Sequence, residues 1–191
     1  MEAARTALPV RAARISGPRA VVAVAVLVVA AGAVALFIGH GSPSSSPSGF
    51  VGPASPFSLP ELRSGRPDVA LAAAPGHPTV VNFFAAWCVP CRAELPALRD
   101  AAAAHPDITF VGVDHQDSRD DAIELLDRSG VTYPAGYDPR GETATKYGLR
   151  GLPATAFIDP RGRIVELHQG ALSAKEIEAK LQRLTLQSKA A

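Results

Sequence analysis

Cysteine is almost missing from this chain: it occurs twice in 191 residues, at positions 88 and 91. A secreted domain stapled by disulfides spreads several cysteines along its length, whereas an adjacent pair closes a tiny loop and constrains little of the unfolded chain. A structural cross-link is thereby set aside, and Cys88 and Cys91 read as a reactive pair. An excess of one charge is missing as well. Formal net charge is +1, and the first nineteen residues hold four of the nineteen Lys+Arg against one of the eighteen Asp+Glu. The remainder carries 15 basic and 17 acidic residues, without the basic stripe of a nucleic-acid binder. There is no second CxxC, and His77, His105 and His115 lack ligand-like spacing, so no metal is expected. No cysteine borders the N-terminal apolar run, which excludes lipid attachment through one there. No internal repeat is visible.

Against these absences stands one long apolar stretch. From Ala20 to Gly39 there is no charged or strongly polar residue, and about 20 apolar residues suffice for a helix to cross a ~30 Å hydrocarbon core. Arg5, Arg11, Arg14 and Arg19 precede it, and apart from His40 the next basic residue is Arg63. The positive-inside bias then leaves residues 1–19 in the cytoplasm and everything after His40 outside, as a single-pass anchor in the cell membrane. Ala33-Val34-Ala35 offers the competing reading of a cleaved signal, but the apolar run continues through Leu36, Phe37 and Ile38 and favours the uncleaved anchor. Residues 40–56 are rich in Ser, Pro and Gly and carry no Asp, Glu, Lys or Arg. They read as a linker, semi-extended at up to ~3.1 Å per residue.

Residues 57–187 then alternate short apolar runs with helical stretches. Pro78–Ala85 and Ile108–Asp114 read as buried strands, with a helix from Pro90 to Ala104 between them and Pro96 as a kink within it. Ser118 caps a second helix ending near Gly130, and one helical turn falls around Glu142–Tyr147. Thr155–Ile158 and Ile164–His168 form an antiparallel hairpin about the turn Asp159-Pro160-Arg161-Gly162. Ser173 with Glu176 makes a capping box for a last helix. Phe57–Leu59 and Val69–Leu71 are expected as edge strands. The order βαβ then ββα, with a helix inserted, predicts an α/β domain with a central mixed sheet flanked by helices.

Trp87-Cys88-Val89-Pro90-Cys91 falls where a buried strand gives way to a helix. Unpaired N–H groups and a partial positive charge at a helix N-terminus favour thiolate over thiol, which marks Cys88 as the attacking sulfur. Cys91, one turn later, can reach back and resolve a mixed disulfide formed on Cys88. Trp87 reads as part core and part cover of this site. Asp114, His115, Gln116 and Asp117 make a polar cluster at a strand end, where open α/β sheets often build sites, although simple solvation of a loop is the expectation for it. His168 is expected as a satisfied histidine rather than a catalyst.

The residues AAWCVPCRAELP, 85–96, resemble the active-site helix of thioredoxin-like proteins, in particular the TlpA/ResA-like extracytoplasmic thiol–disulfide reductases. Gly151-Leu152-Pro153-Ala154-Thr155-Ala156-Phe157-Ile158-Asp159 is similar to the segment that in this family carries a cis-proline facing the cysteines. The resemblance runs from about Phe57 to Leu186 and implies a thioredoxin-like fold. It also implies that Trp87, Pro90, Leu152 and Pro153 contact substrate, the last two by adding a substrate strand. Where thioredoxins have a buried aspartate six residues before the first cysteine, this chain has Asn82; the ResA-like members instead have a glutamate that Glu94 matches. Glu94 is therefore expected to accept a proton from the pair or tune it. A peroxidase of the related peroxiredoxin kind would have threonine where Ala85 stands, and copper-delivery relatives use a wider cysteine spacing.

Val89-Pro90 keeps the proline of the reducing members and lacks the histidine of strong oxidants, which points to a reductase. The resemblance implies exported protein disulfides as substrates, apocytochrome c during cytochrome c maturation among them, and a membrane electron-transfer protein as reductant. A monomer without bound cofactor is expected. A disulfide-forming oxidase of the same fold and a metal-delivery module are the alternatives.

Overall fold

The computed structural model describes residues 52–190. The expected basic N-terminus, the apolar span and the linker up to Val51 lie outside the described residues. Among the described residues no helix is long and apolar enough to cross a membrane. The elements are β1 (Gly52–Pro53), β2 (Phe57–Leu59), β3 (Val69–Leu71), β4 (Thr79–Phe84), α1 (Val89–Ala104), β5 (Thr109–His115), α2 (Arg119–Arg128), β6 (Ala135–Asp138), α3 (Glu142–Lys146), β7 (Ala154–Ile158), β8 (Arg163–Gln169) and α4 (Ala174–Ala190).

Six strands form one mixed sheet in the order β1-β8-β7-β4-β5-β6. Strands β4, β5 and β6 run parallel, and β7, β8 and β1 add antiparallel pairings. Central β4, Thr-Val-Val-Asn-Phe-Phe, is buried at every position, which is why its apolar residues fall on both faces instead of alternating. On one face Val80, Phe84, Phe110 and Phe157 pack with Leu95 and Leu98 of α1, Leu125 and Leu126 of α2, and Ile177, Leu181 and Leu184 of α4. Burying a leucine of this kind contributes roughly 2 kcal/mol, so α1 is held against the sheet by its own inward stripe. On the other face Val81, Phe83, Val113 and Ile158 meet Leu71, Ala144 and Tyr147, with the Phe83 and Tyr147 rings 5.0 Å apart.

The expected helix caps form. The Ser173 N–H donates to Glu176 Oε2 at 2.9 Å, and the Asp121 N–H donates to Ser118 Oγ at 3.5 Å. In the β7–β8 turn Gly162 takes φ +79°, and a Cβ there would lie 1.7 Å from the Ala73 carbonyl oxygen, so only glycine fits.

Three parts of the fold differ from the sequence reading. Strands β2 and β3 pair with each other in a separate two-stranded ribbon, not as edges of the main sheet. Strand β6, Ala-Gly-Tyr-Asp, was expected as loop; it owes its conformation to pairing with β5 on one side. On its other side the Leu62 N–H donates to the Ala135 carbonyl and the Tyr137 N–H to the Pro60 carbonyl, each at 2.8 Å. Gly52–Pro53, assigned to the linker, pairs with Ile164 and Arg163 of β8.

Candidate active site

Cys88 is the N-cap of α1, and it is joined by a disulfide to Cys91 with their Cα atoms 5.3 Å apart. The Cys91 N–H donates to Cys88 Sγ at 3.2 Å. This is one of the N–H groups that the first turn of a helix leaves without a backbone partner. Pro90 sits in that same turn, where its missing N–H costs no hydrogen bond. Both sulfur-bearing residues are buried, at 4% and 1% exposure, while the apolar side chains of Trp87 and Val89 stand 58% and 65% exposed. A shielded disulfide with an apolar rim suits contact with another chain better than free diffusion of solvent to the sulfurs.

One turn beyond Cys91, Glu94 points inward and is 3% exposed. Its Oε1 accepts the Leu172 N–H at 3.1 Å, and its Oε2 has no partner among the described residues. Burial pushes its carboxyl up to about 7, against the Leu172 N–H and the Asn82 side chain, which pull it down. Asn82 donates to Thr155 Oγ1 at 3.1 Å across β4 and β7. Burial and then the charge of Glu94 also push the buried Tyr133 phenol up. Leu172 and Tyr133 carry no motif; their part in this site comes from tertiary packing alone.

The Leu152–Pro153 bond is cis, and Pro153 is buried at the start of β7. Extending the β4–β7 register one step past Phe83 and Ala154 sets Pro153 beside Phe84, at the end of the strand that leads to Cys88. The Pro153 carbonyl accepts the Gly170 N–H at 2.8 Å, and Leu152 packs against the core cluster that contains both cysteines.

The polar cluster at the end of β5 approaches from the opposite side. The Trp87 indole N–H donates to the Gln116 carbonyl at 3.2 Å, and Asp117 Oδ2 accepts the Ala86 N–H. Solvation accounts for the exposed Gln116 but not for Asp114, which is fully buried and whose carboxyl oxygens have no donor among the described residues. Burial foremost, then Asp117 and Asp138, push its carboxyl up to about 8, while Arg119 pulls it down. His168 is half-buried on β8, and desolvation lowers its pKa. The fold thus gathers Trp87, Cys88, Pro90, Cys91, Glu94, Leu152 and Pro153 about one end of β4.

Sequence and fold are shared with known proteins. The pattern of the AhpC/TSA family matches residues 52–167. The thiol:disulfide interchange protein DsbE of Xylella fastidiosa (strain Temecula1) is 35% identical over 130 residues, which is 68% of this chain and 66% of that protein. The chain therefore spans just under two thirds of that relative. The thiol-disulfide oxidoreductase ResA of Oceanobacillus iheyensis is 32% identical over 136 residues, covering 69% of this chain and 71% of that protein. Among solved structures, MTB dsbF in its mixed oxidized and reduced forms matches with 32% identity and a TM-score of 0.62, over 67% of this chain and 94% of that one. The fold is thioredoxin-like.

Proposed function

The chain belongs to the AhpC/TSA family, and from that premise we propose that it is a membrane-anchored thiol–disulfide oxidoreductase working outside the cytoplasm, with Cys88 attacking and Cys91 resolving. The observation that carries this reading is the buried Cys88–Cys91 disulfide at the mouth of α1, with Cys88 Sγ already accepting an N–H of the first turn. Reduction of that disulfide leaves Cys88 facing the donor, which stabilises its thiolate. The Cys88 thiolate then attacks one sulfur of a substrate disulfide, forming a mixed disulfide and releasing the other substrate sulfur as thiolate. Cys91 loses its proton, and its thiolate attacks Cys88 Sγ, closing the pair and releasing the second substrate sulfur. The substrate gains two electrons and two protons, and the protein regains its disulfide.

Glu94, buried one turn past Cys91, is the group we assign to take the Cys91 proton. Its unpartnered Oε2 leaves an acceptor for it. Trp87 and Pro90 form the exposed rim, and the Leu152–Pro153 edge receives the substrate backbone as a short added strand. The direction is reduction, since Val89-Pro90 separates the cysteines; the substrates are exported disulfides such as those of apocytochrome c. A membrane electron-transfer protein returns the pair to its dithiol. Residues 20–39 anchor the chain, and the linker that follows carries the domain away from the bilayer. Ala85, where a peroxidase of peroxiredoxin type would have threonine, argues against peroxide as the oxidant.

A redox titration of the whole chain in detergent, read by alkylation and mass spectrometry, tests the reading. A reversible Cys88–Cys91 couple nearer −270 than −120 mV, the two ends of the range for proteins of this fold, supports a reductase. A value at the oxidising end assigns the opposite direction, and undiminished disulfide reduction by Cys88→Ser removes the enzyme altogether.

A further inference from the structure

Asp114 is the fully buried carboxyl of the cluster that touches the active-site loop, and the reaction sequence above makes no use of it. It pairs in register with Phe84 of β4 and Tyr137 of β6, so apolar and aromatic neighbours flank it within the sheet. Three charged groups reach it. Asp117 meets it from the loop after β5, Asp138 from the end of β6, and Arg119 from the first turn of α2. The cation is committed elsewhere: Arg119 Nη1 donates to the Glu61 and Leu62 carbonyls at 2.8 Å each, and its guanidinium lies 4.5 Å from the centre of the Tyr137 ring. Asp138 is also committed, since its oxygens accept the Glu142, Thr143 and Ala144 N–H groups. Asp117 is a clamp, with Oδ2 on the Ala86 N–H and Oδ1 on the Ser118 N–H.

Asp114, inside the protein and with no donor among the described residues, and the half-buried Asp117 carboxylate beside it are therefore two acceptors, and an unsatisfied buried ion is costly. One proton resolves the conflict. We propose that Asp114 is a positioning residue that retains a proton and donates it to Asp117, steadying the clamp on Ala86 and with it the approach of the chain to Cys88. When that proton leaves, two like charges share the site and repel. The clamp slackens two residues before the attacking sulfur, and the Gln116 carbonyl moves away from the Trp87 indole. The pair is then an internal sensor of alkaline pH for the redox loop. This inference rests on the assignment of Cys88–Cys91 as the working pair, but its test does not need turnover.

Trp87 is the single tryptophan of the chain, and it sits on the loop in question. The test is its fluorescence from pH 6 to 9.5 with the Cys88–Cys91 disulfide intact, so that no thiol titrates. Wild type should show a one-proton transition near the value of about 8 to which burial and Asp117 push Asp114. Asp114→Asn, whose amide donates to Asp117 at every pH, should lose that transition, and Glu94→Gln should keep it. No transition in wild type, or the same transition in Asp114→Asn, overturns the proposal; so does its loss in Glu94→Gln, which would assign it to Glu94. Should Asp114→Asn fail to fold, Asp117→Asn decides: a neutral amide facing Asp114 should move the midpoint at least one pH unit lower, and an unmoved midpoint overturns the inference. If the transition follows Asp114 while Cys88→Ser still reduces disulfides, the enzymatic reading fails, and of this inference the pH coupling of Asp114 to the Trp87 loop stands while its link to the redox pair falls. In the reduced enzyme, Asp114→Leu, which lacks any donor, should lower the disulfide-reduction rate severalfold at pH 7, and wild type should approach that lower rate only above pH 8.

Discussion

The junction where β6 enters α3 and the junction where β5 runs out beside the disulfide are each built on a buried aspartate, and they treat it in opposite ways. Asp138 is met by three N–H groups from the first turn of α3, at 3.0, 3.0 and 3.3 Å. From three residues ahead of the N-cap, Gly141, it supplies the acceptors that the first turn of α3 would otherwise lack. Asp114, across the same pair of strands, has no donor among the described residues, so its charge is excluded and its proton retained. Glu94 stands between these extremes with one N–H donor. The number of donors facing a buried carboxyl decides whether it serves as a fixed anchor or as a group whose proton can come and go.

The largest expected departure is at Asp114. Its carboxyl is pushed up from 3.8 to about 8, so the stability it confers is fully present below pH 4 and is lost as pH rises through 8. Asp114→Asn should remove that slope, and above pH 8 the variant should be more stable than wild type by several kcal/mol, on the order of what such a shift represents. Urea unfolding at pH 5 and pH 9 would show it, and parallel pH dependences of the two proteins would break the contrast with Asp138. At Asp138 the sign reverses. Asp138→Ala strips the first turn of α3 of those acceptors and should cost about 2 kcal/mol at pH 7, a fall in Tm of roughly 6 °C. A neutral outcome would mean that the three N–H groups find other partners.

The intermediate carboxyl should show its effect in kinetics. Burial pushes Glu94 from 4.5 to about 7, so its contribution to stability declines between those values as pH rises, while its capacity to accept a proton increases. Glu94→Gln should slow resolution of the mixed disulfide roughly tenfold and abolish an inflection near pH 7, a modest effect for general acid–base catalysis. Stopped-flow measurement of both proteins across that range checks this, and a thiolate titration unchanged by the substitution would remove the role. Smallest of all, Trp87→Phe deletes the indole bond to the Gln116 carbonyl at the exposed rim and should cost under about 1 kcal/mol. Its signature would be a raised KM for protein disulfides at nearly unchanged kcat.

Much of this architecture was legible because apolar content and local chemistry agree. Val80, Val81, Phe83 and Phe84 announce a buried strand, and Ser173 with Glu176 announces a helix start. Trp87 to Cys91 announces a reactive turn, and its placement at the mouth of α1 follows from the strand before it and the helix after it. Where the conformation is imposed from outside, the sequence is silent. Ala135–Asp138 has one glycine, one aspartate and no alternation, and it becomes a strand because β5 and residues 60–62 offer partners on both sides. Asp114 is followed by His115, Gln116 and Asp117, so it looks like the start of a solvated loop; only the packing of Phe84 and Tyr137 around it shows that water does not reach it. Leu172 and Tyr133 are ordinary loop residues until the fold brings them to Glu94.

Residues 52–62 carry a consequence for assembly. Gly52–Pro53 lies along β8 and Pro60–Leu62 along β6, so a single short stretch hems both outer margins of the main sheet. That stretch precedes both partners in the chain, and during synthesis it must wait for them before it can dock. Until it does, two rows of backbone N–H and carbonyl groups stand open to any neighbour. A domain trimmed to begin at Pro78 would keep its cysteines and lose its hems, and self-association, not loss of redox chemistry, would be its first fault.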